Sequence, residues 1–112
     1  MKQTIAVPVA GGIACAHFGH CEQFAFIDVV DTAIDSVRYL SPPSHQPGSH
    51  PNFIAGEGAT VVLAGGMGFK AQQMLEAAGI TVCLGVAEQE SEALVRQYID
   101  GTLAHGDNQC DH

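Results

Sequence analysis

Residues 4–9, Thr-Ile-Ala-Val-Pro-Val, are apolar at nearly every position and rich in β-branched side chains, which predicts a first strand. Pro8 predicts a sheet edge or the end of that strand, because proline has no N–H to give to a ladder. Gly11-Gly12 breaks the strand and opens a loop that holds Cys15, His17, His20 and Cys21. A second strand is expected over residues 24–30 and a third over 34–40, with Asp31-Thr32 turning the chain into an antiparallel hairpin. Residues 41–51 hold four of the five prolines, with two histidines, and read as a long connecting loop.

A short helix is expected over residues 52–56. Residues 60–64, Thr-Val-Val-Leu-Ala, make a compact apolar strand of the kind buried on both faces. Gly65-Gly66-Met67-Gly68 then turns the chain into a helix over 69–78. There Met67, Ala71, Met74, Leu75 and Ala78 recur at helical spacing, and Gly79 is the stop. Residues 80–84 form another strand, completing a strand–helix–strand unit that joins parallel strands. The last helical pattern covers 88–98. Glu88, Glu90 and Glu92 sit at its positive end, and Gly101 terminates it. Residues 102–112 read as an irregular polar tail. The whole is an α/β domain with a mixed sheet of about five strands flanked by helices.

A chain of 112 residues with 46% hydrophobic content makes one domain, residues 1–112, with a core that needs no disulfides. Twelve acidic residues against four Lys and Arg give a net charge of -8, which excludes tight binding to nucleic-acid phosphates. No apolar run approaches the ~20 residues that cross a bilayer, and the N-terminus lacks the apolar core of a signal peptide. The expected location is cytoplasmic, where four cysteines are thiols or ligands rather than disulfides.

That changes how the polar segments read. His17-Phe18-Gly19-His20-Cys21 packs three soft-metal ligands into one short stretch, and the chain closes on Cys110-Asp111-His112. Imidazole and thiolate are the side chains that hold zinc, copper, iron and iron–sulfur centres. His20, Cys21, Cys110 and His112 are the leading ligand candidates, followed by His17 and by His45 on the proline-rich loop. His50 is a weaker one. Cys15 and Cys83 read as structural thiols, although Cys15 has the position to join a sulfur-rich site. Gly66, Met67, Gly68 and Lys70 lie where a strand meets a helix, the place where backbone N–H groups cradle anions. The glycines match neither a P-loop nor a dinucleotide fingerprint.

These motifs in this order resemble the dinitrogenase iron–molybdenum-cofactor biosynthesis family, whose small members include nitrogenase cofactor carriers and the molybdenum–copper orange protein. The resemblance rests on Ile5-Ala6-Val7-Pro8, on His17-Phe18-Gly19-His20-Cys21 followed by Phe24, and on Pro42-Pro43 with His45 and Pro47-Gly48. It continues through Val61 to Gly68, Ala71, Leu75, Gly79-Ile80, Val82, Gly85, Tyr98, Gly101, Leu103 and Cys110-Asp111-His112. It implies a ribonuclease-H-like sheet and binding of an iron–sulfur or molybdenum-containing cluster without substrate turnover. The expected function is a carrier, store or assembly chaperone that meets cluster-donor or acceptor proteins and is not an enzyme. Zinc and copper fit the same ligands. Two alternatives remain at this stage. One is an anion-binding regulatory module that uses the glycine turn. The other is a metal-dependent hydrolase built on Asp28, Asp31 and Asp35.

Overall fold

The computed structural model of the chain describes residues 2–15, 18, 21–42 and 49–103. Six strands and three helices follow in the order β1 (Lys2–Ala10), β2 (Ile13–Ala14), β3 (Gln23–Val30), β4 (Ala33–Leu40), α1 (Ser49–Gly56), β5 (Val61–Leu63), α2 (Phe69–Ala77), β6 (Thr81–Cys83) and α3 (Ser91–Asp100). The sheet runs β4-β3-β1-β5-β6, and β2 pairs with β1 beside this path. β1, β5 and β6 are parallel, whereas β3, β4 and β2 are antiparallel to their partners. The expected mixed α/β sheet is thus observed, with the two-residue β2 as a sixth strand.

β1 lies at the centre, so of the two placements expected from Pro8 the sheet edge fails and the end of the strand holds, since β1 stops at Ala10. Parallel pairing with β5 covers only Ile5 and Ala6 of β1. Beyond it, β2 takes over opposite Val9 and Ala10. Pro8 falls between the two and takes part through its carbonyl, which accepts the Cys15 N–H at 2.8 Å. A missing N–H is tolerated there because the β5 ladder has already stopped.

Side-chain alternation along the strands divides the core in two. Ile5, Val7 and Val9 of β1 pack with Ala25, Ile27, Leu63 and, from α3, Leu94 and Val95. On the opposite face Ala6, Phe24, Phe26 and Val62 pack with Ile54 of α1 and Leu75 of α2. β4 at one edge is only half-buried, in keeping with its mixed sequence Ala-Ile-Asp-Ser-Val-Arg-Tyr-Leu. Among the described residues no helix is long and apolar enough to cross a membrane.

Two helices begin elsewhere than the pattern suggests. α1 starts at Ser49, so His50 and Pro51 lie in its first turn rather than in a loop. A proline is tolerated there because the first N–H groups of a helix have no intrahelical partner. α3 starts at Ser91, since Glu90 forms a bridge with Ile13 and Ser91 N–H bonds to the Gly12 carbonyl at 3.2 Å. Of the three glutamates placed in its first turn, only Glu92 is there.

Candidate functional site

The carboxyl ends of β1, β5 and β6 meet at one end of the sheet, where open α/β sheets receive ligands. After β5 the chain runs through Gly65, Gly66, Met67 and Gly68 into α2. The Gly65 carbonyl accepts the Gly85 N–H at 2.9 Å, tying the turn after β6 to the turn after β5. The Gly66 carbonyl accepts the Phe18 N–H at 2.8 Å, tying in the segment that joins β2 to β3. Three connections therefore share one backbone junction.

Phe18 is buried and anchors that segment from the inside. Its ring meets Phe24 at 5.4 Å and the edge of His50 at 6.0 Å. His50 is itself buried, with Phe24 edge-on at 5.4 Å. This corrects its reading as a loop ligand: the imidazole is a wall of the aromatic cluster beneath the site. Met67 is buried in the same cluster, and Cys21 packs against it.

Cys21 and Cys15 are both free thiols of intermediate exposure. Burial, reinforced by the charge of Cys15, pushes the Cys21 thiol up to about 12. Cys15 is raised by burial, with Glu22 and Glu88 adding to it, while the Glu22 backbone N–H bonds to the Cys15 sulfur and pulls the other way. Both thiols therefore hold their protons at neutral pH. Cys83 is partly buried on β6, packed against the α3 face of the core, with its thiol raised by burial.

Gly68 caps α2 at φ -66° and ψ 152°, a conformation open to any residue, and a β-carbon there would meet nothing within 4 Å. Among the described residues no side chain caps this helix, and no acidic residue lies in its first turn. Phe69, 69% exposed, and the exposed Lys70 stand beside it. Among the described residues nothing fills the space at the positive end of α2, which lies next to a cation, an arrangement suited to an anionic group.

His17, His20, His45, Cys110 and His112 lie outside the described residues. Of the candidates that are described, Cys21 and the turn at Gly66, Met67, Gly68 and Lys70 stand at the same end of the sheet, joined through Phe18. Among the described residues no group of three or more His, Cys, Asp or Glu side chains forms a metal-ion site.

The hydrolase carboxylates do not converge. Asp28 accepts hydrogen bonds from the Thr4 hydroxyl at 2.7 Å and the Ser36 hydroxyl at 2.8 Å, whereas Asp31 sits in the hairpin turn at φ 56°. A polar cleft at the opposite, amino end of the parallel strands is lined by Lys2, Thr4, Asp28, Arg38, Glu57 and Thr60. Its charges largely neutralise one another, with Arg38 3.4 Å from Glu57 and 3.9 Å from Asp28.

The chain is a three-layer α/β domain with the glycine turn and Cys21 at the carboxyl end of its parallel strands. The dinitrogenase iron-molybdenum cofactor family matches residues 1–101, and the chain belongs to that family. Among solved structures, that of PH0822 is 27% identical, with a TM-score of 0.87, each chain covered over 100%. The apo form of the orange protein from Desulfovibrio gigas is 29% identical, with a TM-score of 0.76, over 95% of this chain and 94% of the other. MJ0327 from Methanocaldococcus jannaschii shares the fold at 13% identity, with a TM-score of 0.79, over 96% and 98% of the two chains. No curated protein sequence matches the chain.

Proposed function

We propose that this protein carries a metal-containing cluster, of the iron–sulfur or molybdenum-containing kind, and passes it between a donor and an acceptor protein in the cytoplasm without turning over a substrate. The observation that carries the reading is the bond from Phe18 N–H to the Gly66 carbonyl. It sets the thiol-bearing segment on the same junction as the uncapped start of α2. One side of that junction offers soft ligands, and the other offers N–H groups and Lys70 to an anionic cluster. Membership of the cofactor family supports the same role. His17 and His20, adjoining Cys21 in sequence, and Cys110 and His112 are the further ligands of this proposal.

The test is anaerobic purification followed by metal analysis, with reconstitution of the metal-free protein. Stoichiometric iron, molybdenum, copper or zinc is expected. Protein that arrives empty and stays empty after reconstitution sinks the carrier reading. The uncapped helix start favours a second reading, a module that binds an anion at Gly68 and Lys70. Titration with phosphate and with thiomolybdate, followed at the amides of residues 66–70, separates the two. Shifts with phosphate and no metal uptake support the module.

A further inference from the structure

A cleft of about 540 Å³ opens where α1 ends, at the end of the sheet away from the glycine turn. Lys2 and Thr4 of β1, Asp28 of β3, Arg38 of β4, Glu57 and Thr60 line it. Its size is that of a small-molecule site, roughly 300–1,000 Å³. Asp28 is already engaged, by the Thr4 hydroxyl at 2.7 Å and the Ser36 hydroxyl at 2.8 Å. Arg38 is held differently. Its guanidinium lies 5.6 Å from the Phe26 ring centroid, a stacking contact that orients the planar fork. Its contacts with Glu57 at 3.4 Å and Asp28 at 3.9 Å exceed the roughly 2.7–2.9 Å of a strong charge-assisted bond. Its buried Nε has no acceptor among the described residues. The Arg38 and Glu57 side chains are 41% and 33% exposed, and an exposed pair of this kind contributes little stability. A ligand can therefore part them at small cost.

We propose that this cleft binds a small zwitterion of the α-amino-acid class, with its carboxylate on Arg38 and Lys2 and its ammonium on Glu57. The balance of charge selects that ligand. A plain anion would meet Asp28 and Glu57, and a plain cation would meet Lys2 and Arg38. Because Arg38 and Glu57 stand 3.4 Å apart, the two charges of the ligand must be adjacent, as they are on one α-carbon. The terminal nitrogens of Arg38 offer the carboxylate two parallel N–H bonds. Asp28 keeps its hydroxyl partners and holds the β3 wall in place. The site uses none of the thiols and is independent of the carrier reading.

The test titrates the full chain with glycine, L-leucine and L-glutamate in turn, and with acetate and methylammonium as the separated halves. Amide shifts of Thr4, Arg38, Glu57 and Thr60 report binding. At least one amino acid should saturate these shifts with a Kd below about 1 mM, and each half should bind at least about tenfold more weakly. Arg38→Gln and Glu57→Gln should each lower the affinity about tenfold to a hundredfold, the loss of one bond to a charged group. Lys70→Gln, at the other end of the sheet, should bind as the wild type does. Amide spectra confirm that each variant is folded. Arg38→Lys serves where Arg38→Gln is not, and it should still weaken binding because the fork is gone. No saturation with any of the three amino acids overturns the proposal. Acetate that binds as tightly as they do overturns it too, as does a Glu57→Gln protein of unchanged affinity.

Discussion

The Phe18 amide donates to the Gly66 carbonyl at 2.8 Å, and the Phe18 ring is buried against Phe24 and His50. One residue therefore fixes the thiol-bearing segment twice, by its backbone to the glycine turn and by its side chain to the core. The site and the α1/α2 layer of the core are mechanically one unit.

Phe18→Ala is expected to cost about 3–5 kcal/mol in urea unfolding, the usual loss for a buried Phe truncated to Ala. It should also shift the amides of residues 66–68 and weaken metal loading. Phe18→Leu keeps most of the volume and should restore most of both. A Phe18→Ala protein with wild-type stability and unmoved glycine amides would contradict the docking described above.

Gly68→Asp separates stability from binding. An aspartate at this position has an allowed backbone and open space, and it caps the exposed N–H groups of α2. Together with a stiffer unfolded chain, it should raise stability by about 0.5–1 kcal/mol. Its carboxylate occupies the donors that an anion would use, so phosphate or thiomolybdate binding should fall. Calorimetry and amide titration check the two halves independently.

The Asp28 carboxyl is pushed up by burial, but the hydrogen bonds from Thr4 and Ser36 and the charges of Lys2 and Arg38 prevail and hold it below the usual carboxylate range. A folded-state value below the unfolded one means that its stabilisation is complete above about pH 4 and is lost as pH falls through the folded value. Melting temperatures from pH 6 down to 2 should show that loss, and Asp28→Asn should flatten it. Asp28→Ala leaves the buried Thr4 hydroxyl without its acceptor and should cost about 1–3 kcal/mol at pH 7.

Cys21 behaves in the opposite sense. Its thiol is pushed up to about 12 in the folded state by burial and by Cys15, whereas an unfolded cysteine titrates near 8.5. The stabilisation from keeping that proton is full below about pH 8.5 and is lost as pH rises toward 12. Metal-free protein should therefore weaken in alkaline solution, and Cys21→Ala should remove much of the decline. Below that range each thiol proton displaced by metal makes affinity rise about tenfold per pH unit. Alkylation of Cys21 by iodoacetamide at pH 7.5 should be slow in the metal-free protein.

Long apolar runs carried most of the fold into the sequence. β1, β3, β5 and α2 follow from continuous or periodic hydrophobicity in segments that bury one or both faces, and β6 from an apolar run whose flanking Ile80 and Leu84 are buried. What escaped was set by partners distant in the chain. Ile13–Ala14 has no pattern of its own and becomes β2 only because β5 leaves the end of β1 uncovered. His50 looked like a loop histidine because its aromatic neighbours Phe18 and Phe24 are remote in sequence. The glycine turn was legible as a helix entry, yet its junction with Phe18 and Gly85 was not.

β1 holds both flanks of the Cys15 to Cys21 stretch through its own carbonyls, and Phe18 anchors its middle to the glycine turn and the core. With those three points kept, the other positions are open to exchange. A chimera carrying another family member's residues around a retained Phe18 should keep the same scaffold while presenting a different set of side chains to the glycine turn. Relatives on one unchanged sheet could diverge in cargo through this single cassette, much as loops vary on other rigid frameworks.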